Sequence, residues 1–216
     1  MPRLVHLAPL IVLQLTVPAL AAQTTADSGT FVIRRASDTV ATEQFTRTET
    51  KLEGTLAIRD TKRTNQRYTA VVAPDATLPL IEVTVQEGRD SGGQRARVTQ
   101  RARVIFKEDS AAVDAVGGDG LQTRVFQTER GAVPYLNLSF ALLEQAVRRA
   151  RATPRNSQVA FFNLGGGQTL TARLLPLAAD SVRLDIGNVE YRLRVDSGGR
   201  VLGARIPAQD VVAERR

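Results

Sequence analysis

The sequence predicts a mainly β fold, a curved antiparallel meander (half-barrel or open barrel) of about ten or more strands with one long helix packed on it. Two observations predict this fold. From residue 30 onward, apolar and polar residues alternate in short runs separated by turn residues, a pattern typical of antiparallel strands. One segment near residue 140 instead repeats its apolar residues at helical spacing.

The first 21 residues are typical of a secretory signal peptide. Arg3 and the amino terminus supply positive charge, residues 7–17 are mostly apolar, and small residues at Ala19 and Ala21 suit signal peptidase. The segment is too short and interrupted to span a bilayer. We therefore expect an exported bacterial protein, periplasmic or extracellular, with a flexible leader at 22–29 and a single domain over 30–216.

Period-two runs fill most of the remaining chain. Short connections rich in Gly, Asp and Pro separate them, which favours antiparallel neighbours because parallel pairs need long crossovers. The expected strands are 30–35, 39–51, 52–59, 67–73, 80–86, 94–106, 121–128, 158–164, 169–174, 181–186, 189–195 and 201–206.

Residues 137–151, NLSFALLEQAVRRAR, break this alternation and predict the only long helix. Asn137 or Ser139 suits the N-cap, three arginines suit the negatively polarised C-terminal end, and Pro154 ends the helix. We expect its apolar face to lie against the sheet. That face consists of Phe140, Leu143, Ala146 and Val147.

Several residue types are absent from the expected mature chain. The sequence has no Cys or Trp, and its single His and single Met, His6 and Met1, fall within the signal peptide. Disulfides, cysteine nucleophiles, Ser-His-Asp triads and the usual zinc or haem sites are therefore excluded. We expect no cofactor and no metal. A pair of carboxylates acting as acid and base remains an alternative, as does a Ser–Lys arrangement that uses Lys51, Lys62 or Lys107.

The chain is basic, with a formal net charge of +7. It has 29 Lys and Arg residues, of which only Lys51, Lys62 and Lys107 are lysines. A basic exported protein favours anionic surfaces such as lipid headgroups or envelope polysaccharide. Nucleic acid is not expected as a partner, because no basic cluster is interleaved with aromatic residues and no binding motif occurs.

The register near the C-terminus follows from keeping one face apolar. A two-residue loop after Ile186 places Leu184 opposite Tyr191 and Val182 opposite Leu193. A four-residue loop in the next hairpin keeps the same face apolar. It pairs Leu193 with Ala204, Tyr191 with Ile206, and Val195 with Leu202.

This register aligns Arg183, Arg192 and Arg205 in one row across three strands, with Asp185 and Glu190 one pleat away. Like charges directly opposite each other are unfavourable, so the row needs compensation. One interpretation is a charge ladder on a solvated surface. The other is a site that binds a phosphate or carboxylate.

The predicted strand at 94–106 also has one basic face and one apolar face. Strict alternation puts four arginines on one face and five apolar residues, Val98 among them, on the other. The basic face would carry Arg95, Arg97, Arg101 and Arg103.

The apolar interior allows two arrangements. Either the helix fills the concave face of the sheet, or it leaves a cavity that suits an acyl chain. The candidate lining residues are Phe31, Phe45, Phe126, Phe140 and Leu143, each of which fits a plain core position equally well.

This layout resembles the outer-membrane lipoprotein carrier and related periplasmic lipid-handling domains, in which a strongly curved antiparallel sheet wraps around a helix. It is also similar to uncharacterised exported families with the same many-strand meander. The resemblance extends over most of the mature chain and transfers no functional residue. It implies an apolar ligand, such as a lipid or a lipidated protein, and no catalysis.

Three functions remain after these exclusions. The leading hypothesis is non-enzymatic binding of a lipid or other amphipathic envelope molecule. The first alternative is a structural or interaction module that docks a basic sheet face on an anionic envelope partner. The second alternative is a carboxylate-dependent hydrolase.

Overall fold

The computed structural model describes residues 26–88, 96–152 and 158–216. The predicted signal peptide, Arg95 and Pro154 lie outside the described residues. The strands are β1 (Asp27–Arg35), β2 (Asp38–Arg47), β3 (Lys51–Ile58), β4 (Thr64–Val71), β5 (Leu80–Glu87), β6 (Arg97–Lys107), β7 (Ser110–Gly117), β8 (Gly120–Gln127), β9 (Val133–Tyr135), β10 (Gln158–Asn163), β11 (Thr169–Ala178), β12 (Ser181–Ile186), β13 (Val189–Val195), β14 (Val201–Ile206) and β15 (Val211–Arg215). Helix α1 (Phe140–Ala152) lies between β9 and β10, and a short 3-10 helix (Pro207–Gln209) precedes β15.

The fifteen strands of the described residues belong to one sheet, in the order β8-β7-β6-β5-β4-β3-β2-β1-β15-β14-β13-β12-β11-β10-β9. Every neighbouring pair is antiparallel except β9 and β10, which are parallel and are connected through α1. The mainly β, open curved fold with one helix is therefore confirmed. The pairing of β1 with β15 joins two wings, β1–β8 and β9–β15.

The sheet curves until its two ends approach each other. The Thr169 hydroxyl on β11 donates to the Gln127 carbonyl at 3.3 Å and lies 2.8 Å from the Thr128 hydroxyl. Thr171, on the same strand, donates to the Glu129 carboxylate at 3.0 Å. These bonds tie the segment after β8 to the opposite wing and leave a seam between β8 and the β10–β11 hairpin.

Helix α1 packs inside this curve. It contacts β2, β9, β10 and β14, and its residues from Phe140 to Val147 are all buried. Ser139 caps the helix, since its hydroxyl accepts a hydrogen bond from the Leu142 amide at 3.4 Å. The predicted helix at 137–151 is thus confirmed with its start moved to Phe140.

Three strands were not predicted: β7, β9 and β15. Strand β9 has only three residues, too few for an alternation to be recognised. Strand β15 has five, in the sequence VVAER, and pairs with both β1 and β14. The predicted strand at 39–51 divides between β2 and β3.

The predicted register of the C-terminal hairpins is confirmed for Leu184 with Tyr191, Val182 with Leu193 and Leu193 with Ala204, and one expected pair is wrong. Arg183 pairs with Arg192, and Arg192 pairs with Arg205, as expected. The expected pairing of Val195 with Leu202 is wrong, because Val195 pairs with Val201 across a β-bulge. The bulge lets Val201 turn its side chain into the core, where it is fully buried.

A second bulge changes the predicted faces of β6. The register between β5 and β6 shifts at Gln86, so that Gln86 pairs with Val98 and Val85 with Gln100. One extra residue in a strand exchanges its two faces beyond that point. Val98 therefore lies beside Arg101 in one groove, and the prediction of an unbroken arginine face with Val98 opposite it is wrong.

Candidate functional site

A cleft of about 220 Å³ lies at the seam, between the inner face of β6–β8 and the loop from β10 to β11. We call it the seam cleft. Its apolar walls are Ala102, Val113, Ala115, Phe126, Phe162 and Leu164. Among these only Phe162 is buried, so the inner face of strands β6–β8 is partly open to solvent.

The glycine-rich loop forms the other wall of the seam cleft. Gly167 has a φ of +71°, a left-handed conformation that favours glycine, and a Cβ there would overlap the Phe126 ring. Phe126 also meets Phe162 edge-on, with 5.8 Å between ring centroids. The sequence NLGGGQT, residues 163–169, thus makes the turn between β10 and β11, and it packs on Phe126, one of the predicted lining residues.

The other four predicted lining residues lie in the filled core. Phe31 stacks on Phe45, with 5.7 Å between ring centroids, and contacts Phe140 in a tilted arrangement at 5.6 Å. These three rings and Leu143 are each at most 4% exposed. The structure therefore separates Phe126 from the other candidates, and helix α1 occupies the space around Phe31.

A cluster of buried charges lies beside that core. Glu43, on the inner face of β2, is fully buried at the N-terminus of α1. One carboxylate oxygen accepts the Phe140 and Ala141 amides at 2.7 and 3.0 Å. The other accepts the hydroxyls of Tyr68 at 2.7 Å and Ser139 at 2.5 Å. Glu43 therefore anchors the helix start to the sheet, where the helix dipole favours a negative charge.

Burial raises the pKa of the Glu43 carboxyl above its usual 4.5, and these four hydrogen bonds oppose that shift. Burial together with the neighbouring Glu43 carboxylate raises the pKa of the Tyr68 hydroxyl well above its usual value. The Tyr68 hydroxyl therefore remains a hydrogen-bond donor at neutral pH.

Glu144, one turn along α1, is also fully buried. One of its oxygens pairs with Arg47 and with Arg148, the latter at 3.1 Å. Its other oxygen accepts the Val201 amide at 2.9 Å and the Arg215 guanidinium at 3.0 Å. Glu144 thus connects the helix to β2, β14 and β15.

Asp27 completes the charged cluster at its solvent side. Its carboxylate lies 2.6 Å from Arg215 and 3.2 Å from Arg148. Arg215 also lies over the Phe45 ring, with its guanidinium carbon 4.9 Å from the ring centroid. Burial lowers the pKa of Arg47, and the Glu144 carboxylate opposes that shift.

This cluster stabilises the fold, since its two buried carboxylates are saturated by donors from the protein. Glu43 and Glu144 are each 0% exposed and have no access to solvent from which a substrate or water could approach. In the three described ranges, no group of three or more Asp and Glu side chains is arranged to hold a metal ion.

Sequence reasoning missed this cluster, although the alternation contained a signal. Glu43 and Arg47 share the parity of Ala41 and Phe45 on β2, so they occupy inward positions of the strand. Two inward charges in an otherwise apolar series indicate buried partners. Their partners on α1 and β15 depend on long-range packing, which the alternation does not contain.

The arginine row forms as predicted and is compensated by its neighbours. Arg183 Nε lies 2.8 Å from Asp185 and 3.3 Å from Glu190, while Arg192 Nε lies 2.6 Å from Glu190. The hydrogen bond to Asp185 raises the pKa of Arg183. Arg205 forms no ion pair with any of the described residues.

Comparisons with known proteins identify the fold. The sequence matches no family model and no curated protein. The structure is similar to the crystal structure of a DUF1089 family protein from Pseudomonas aeruginosa, with a TM-score of 0.54 and 13% identity over 80% of this chain and 92% of that chain. It is also similar to a beta-barrel-like protein of the domain of unknown function DUF1849 from Brucella abortus, with a TM-score of 0.51 and 9% identity over 89% of this chain and 95% of that chain.

At these identities the likeness establishes the fold alone. The similarity to uncharacterised curved β proteins is confirmed, whereas the resemblance to the lipoprotein carrier stays a prediction. Across the described ranges, no helix combines the length and apolarity needed to cross a membrane. The chain therefore shares its fold with these two proteins, the second of which is described as beta-barrel-like.

Proposed function

We propose that this protein is an exported, non-enzymatic binding protein for a lipid or another amphipathic envelope molecule, with one acyl chain end held in the seam cleft. The observation that carries this proposal is the partly open apolar seam cleft on the inner face of β6–β8, which no residue of helix α1 lines. The export of the protein rests on the signal-like residues 1–21.

The chemistry of the seam cleft favours an apolar chain end. Ala102, Val113, Ala115 and Phe126 present small or aromatic surfaces, and each buried methylene of a ligand would contribute about 0.8 kcal/mol. Gln122 and Arg124, both exposed, line the same cleft and offer donors to a polar or anionic headgroup. A ligand with an apolar tail and a polar head matches this arrangement.

The size of the seam cleft limits what it holds. Its volume of about 220 Å³ is smaller than the roughly 300–1,000 Å³ of sites that enclose a drug-sized ligand. The remainder of the ligand would therefore extend out of the seam, past the exposed edge strand β8. Residues 121–125 of that strand are exposed on both faces.

The test compares two variants that carry the same substitution on opposite faces of β7. Ala115→Phe fills the seam cleft, whereas Ala112→Phe places the same ring on the outer face, opposite Val125. The proteins are expressed with their native leader, purified, and measured by native mass spectrometry, followed by solvent extraction and analysis of the extract for lipids.

We expect lipid-sized additional mass on the wild-type protein and on Ala112→Phe, and its loss in Ala115→Phe. A wild-type protein that carries no lipid and takes up none from mixed phospholipid micelles would overturn the proposal. Equal lipid retention in Ala112→Phe and Ala115→Phe would remove the seam cleft as the site.

A further inference from the structure

The outer face of the sheet carries a polar groove of about 630 Å³ across β2–β6. We call it the outer groove. At its centre a single row of cross-strand neighbours runs over five strands, Gln44, Thr55, Arg67, Thr84 and Arg101. With strands about 4.8 Å apart, this row of polar side chains is about 19 Å long.

The charges of the outer groove leave two arginines without partners. Glu53 and Glu82 also line the groove, but each is already paired, Glu53 with Lys51 at 2.5 Å and Glu82 with Arg103 at 3.7 Å. Within the described residues, Arg67 and Arg101 form no ion pair and no side-chain hydrogen bond. The groove therefore presents two unpaired guanidinium groups beside carboxylates that are each paired with another cation.

The placement of these arginines suits one extended anionic ligand. Thr84 on β5 lies directly between them, paired with Arg67 on one side and with Arg101 on the other. Two strand spacings separate the arginines, about 10 Å, so one ligand reaches both only if it is longer than a single phosphate or carboxylate. Guanidinium groups bind such anions through two parallel hydrogen bonds.

We propose that the outer groove binds an anionic glycan, a sugar chain that carries carboxylate or phosphate groups. Arg67 and Arg101 would bind its acidic groups, while the hydroxyls of Thr55 and Thr84 and the amide of Gln44 would bind its sugar hydroxyls. A ligand with both acidic groups and hydroxyls fits the row best, because neutral hydrogen-bonding side chains lie next to each arginine. This site is separate from the seam cleft and does not depend on the binding of a lipid.

The arginine row on β12–β14 is a second basic region of the surface, with which the outer groove can be compared. Arg183 and Arg192 on that surface are paired with Asp185 and Glu190, so much of their charge is already compensated. If an anionic polymer bound only through the net charge of the protein, the outer groove and the arginine row would contribute equally to binding. A specific site would use Arg67 and Arg101 in preference.

The experiment measures the binding of polygalacturonate and phosphomannan by isothermal titration calorimetry, with dextran as the neutral polymer. Two double variants remove the same charge from different places: Arg67→Gln/Arg101→Gln in the outer groove and Arg192→Gln/Arg205→Gln in the row on β13–β14. A third variant, Thr55→Val/Thr84→Val, keeps the charge and removes the hydroxyls. All six positions lie on the outer face, and thermal melting verifies that each variant folds.

We expect the wild-type protein to bind at least one acidic polymer and not dextran. Arg67→Gln/Arg101→Gln should lower that affinity at least about 10-fold, and Thr55→Val/Thr84→Val severalfold, while Arg192→Gln/Arg205→Gln should change it less than about twofold. Equal losses in the two arginine variants, or no binding of either acidic polymer, would overturn the proposal. Preferential binding of phosphatidylglycerol vesicles through the same two arginines would show a membrane in place of the glycan.

Discussion

Arg215 on β15 donates a hydrogen bond to Glu144 on helix α1 at 3.0 Å. The same arginine contacts Asp27 at 2.6 Å through another nitrogen, so one side chain connects the helix, the first strand and the last strand. Because β1 and β15 form the junction between the two wings of the sheet, this contact lies where the wings and the helix meet.

Removing Glu144 tests how far the fold depends on this junction. Glu144→Ala leaves Arg47, which is 5% exposed, without its ion-pair partner. It also removes one of the two carboxylates that bind Arg215. We expect the free energy of unfolding in urea to fall by about 3–5 kcal/mol, as for other broken buried ion pairs. Glu214→Ala, which removes an exposed pair with Arg34, should cost less than about 1 kcal/mol. Similar losses in both variants would contradict this account.

The buried Glu43 predicts a dependence of stability on pH. Its pKa is raised in the folded protein, so the folded state holds the proton more tightly than the unfolded state does. The resulting stabilisation is fully present below the unfolded pKa and is lost as pH rises through the folded pKa. We therefore expect the unfolding free energy of the wild-type protein, relative to Glu43→Gln, to decrease as pH rises above about 4.5.

Urea titrations at several pH values measure this difference. Glu49→Gln, on the exposed connection after the same strand, is the matched control. A difference between wild type and Glu43→Gln that increases with pH would show that the four hydrogen bonds outweigh burial in the pKa of Glu43.

Gly54 is expected to tolerate no side chain. A Cβ at this position would overlap the Tyr68 hydroxyl and lie 2.9 Å from the Gln44 carbonyl oxygen, and Tyr68 is held by its bond to Glu43. Gly54→Ala should therefore lower the free energy of unfolding by about 1–3 kcal/mol. Gly118→Ala, where a Cβ meets nothing within 4 Å, is the control and should be close to neutral in the same denaturation experiment.

Alanine substitutions at the predicted lining residues should lower the free energy of unfolding by different amounts. Phe31→Ala removes a fully buried ring that contacts two others, and should cost about 3–5 kcal/mol. Phe126→Ala removes a partly buried ring at the seam cleft. Thermal or chemical denaturation should show a clearly smaller loss of unfolding free energy for this variant. Equal losses of unfolding free energy in the two variants would mean that strands β6–β8 are as tightly packed as the core.

The C-terminal hairpins show what local pattern predicts well. A two-residue loop and an apolar face determine the pairing of Arg183 with Arg192, because a shift of one residue would expose Leu184 and Leu193. The bulge opposite Val195 was not predicted, since it depends on the burial of Val201 among residues distant in sequence.

Long-range contacts explain the rest of what the sequence did not reveal. The pairing of β1 with β15 joins segments about 180 residues apart, and no local alternation contains that information. The partners of Glu43 and Glu144 were missed for the same reason, because they come into contact only when α1 lies on β2. The seam cleft likewise exists only after the curvature of the sheet brings β8 to the β10–β11 loop.

The order of the sheet makes the molecule a circularly permuted meander. Followed from β9 to β15 and then from β1 to β8, the strands lie in unbroken spatial succession. Thr30 and Arg216 exchange backbone hydrogen bonds of 3.2 and 2.8 Å, so a short linker can join residue 216 to residue 26. With new termini placed between β8 and β9, the pairing of β15 with β1 becomes a hairpin, and every neighbouring pair of strands is then consecutive along the chain. Such a permutant replaces the widest loop closure in the sheet with a local turn, which should accelerate folding while leaving the native contacts unchanged.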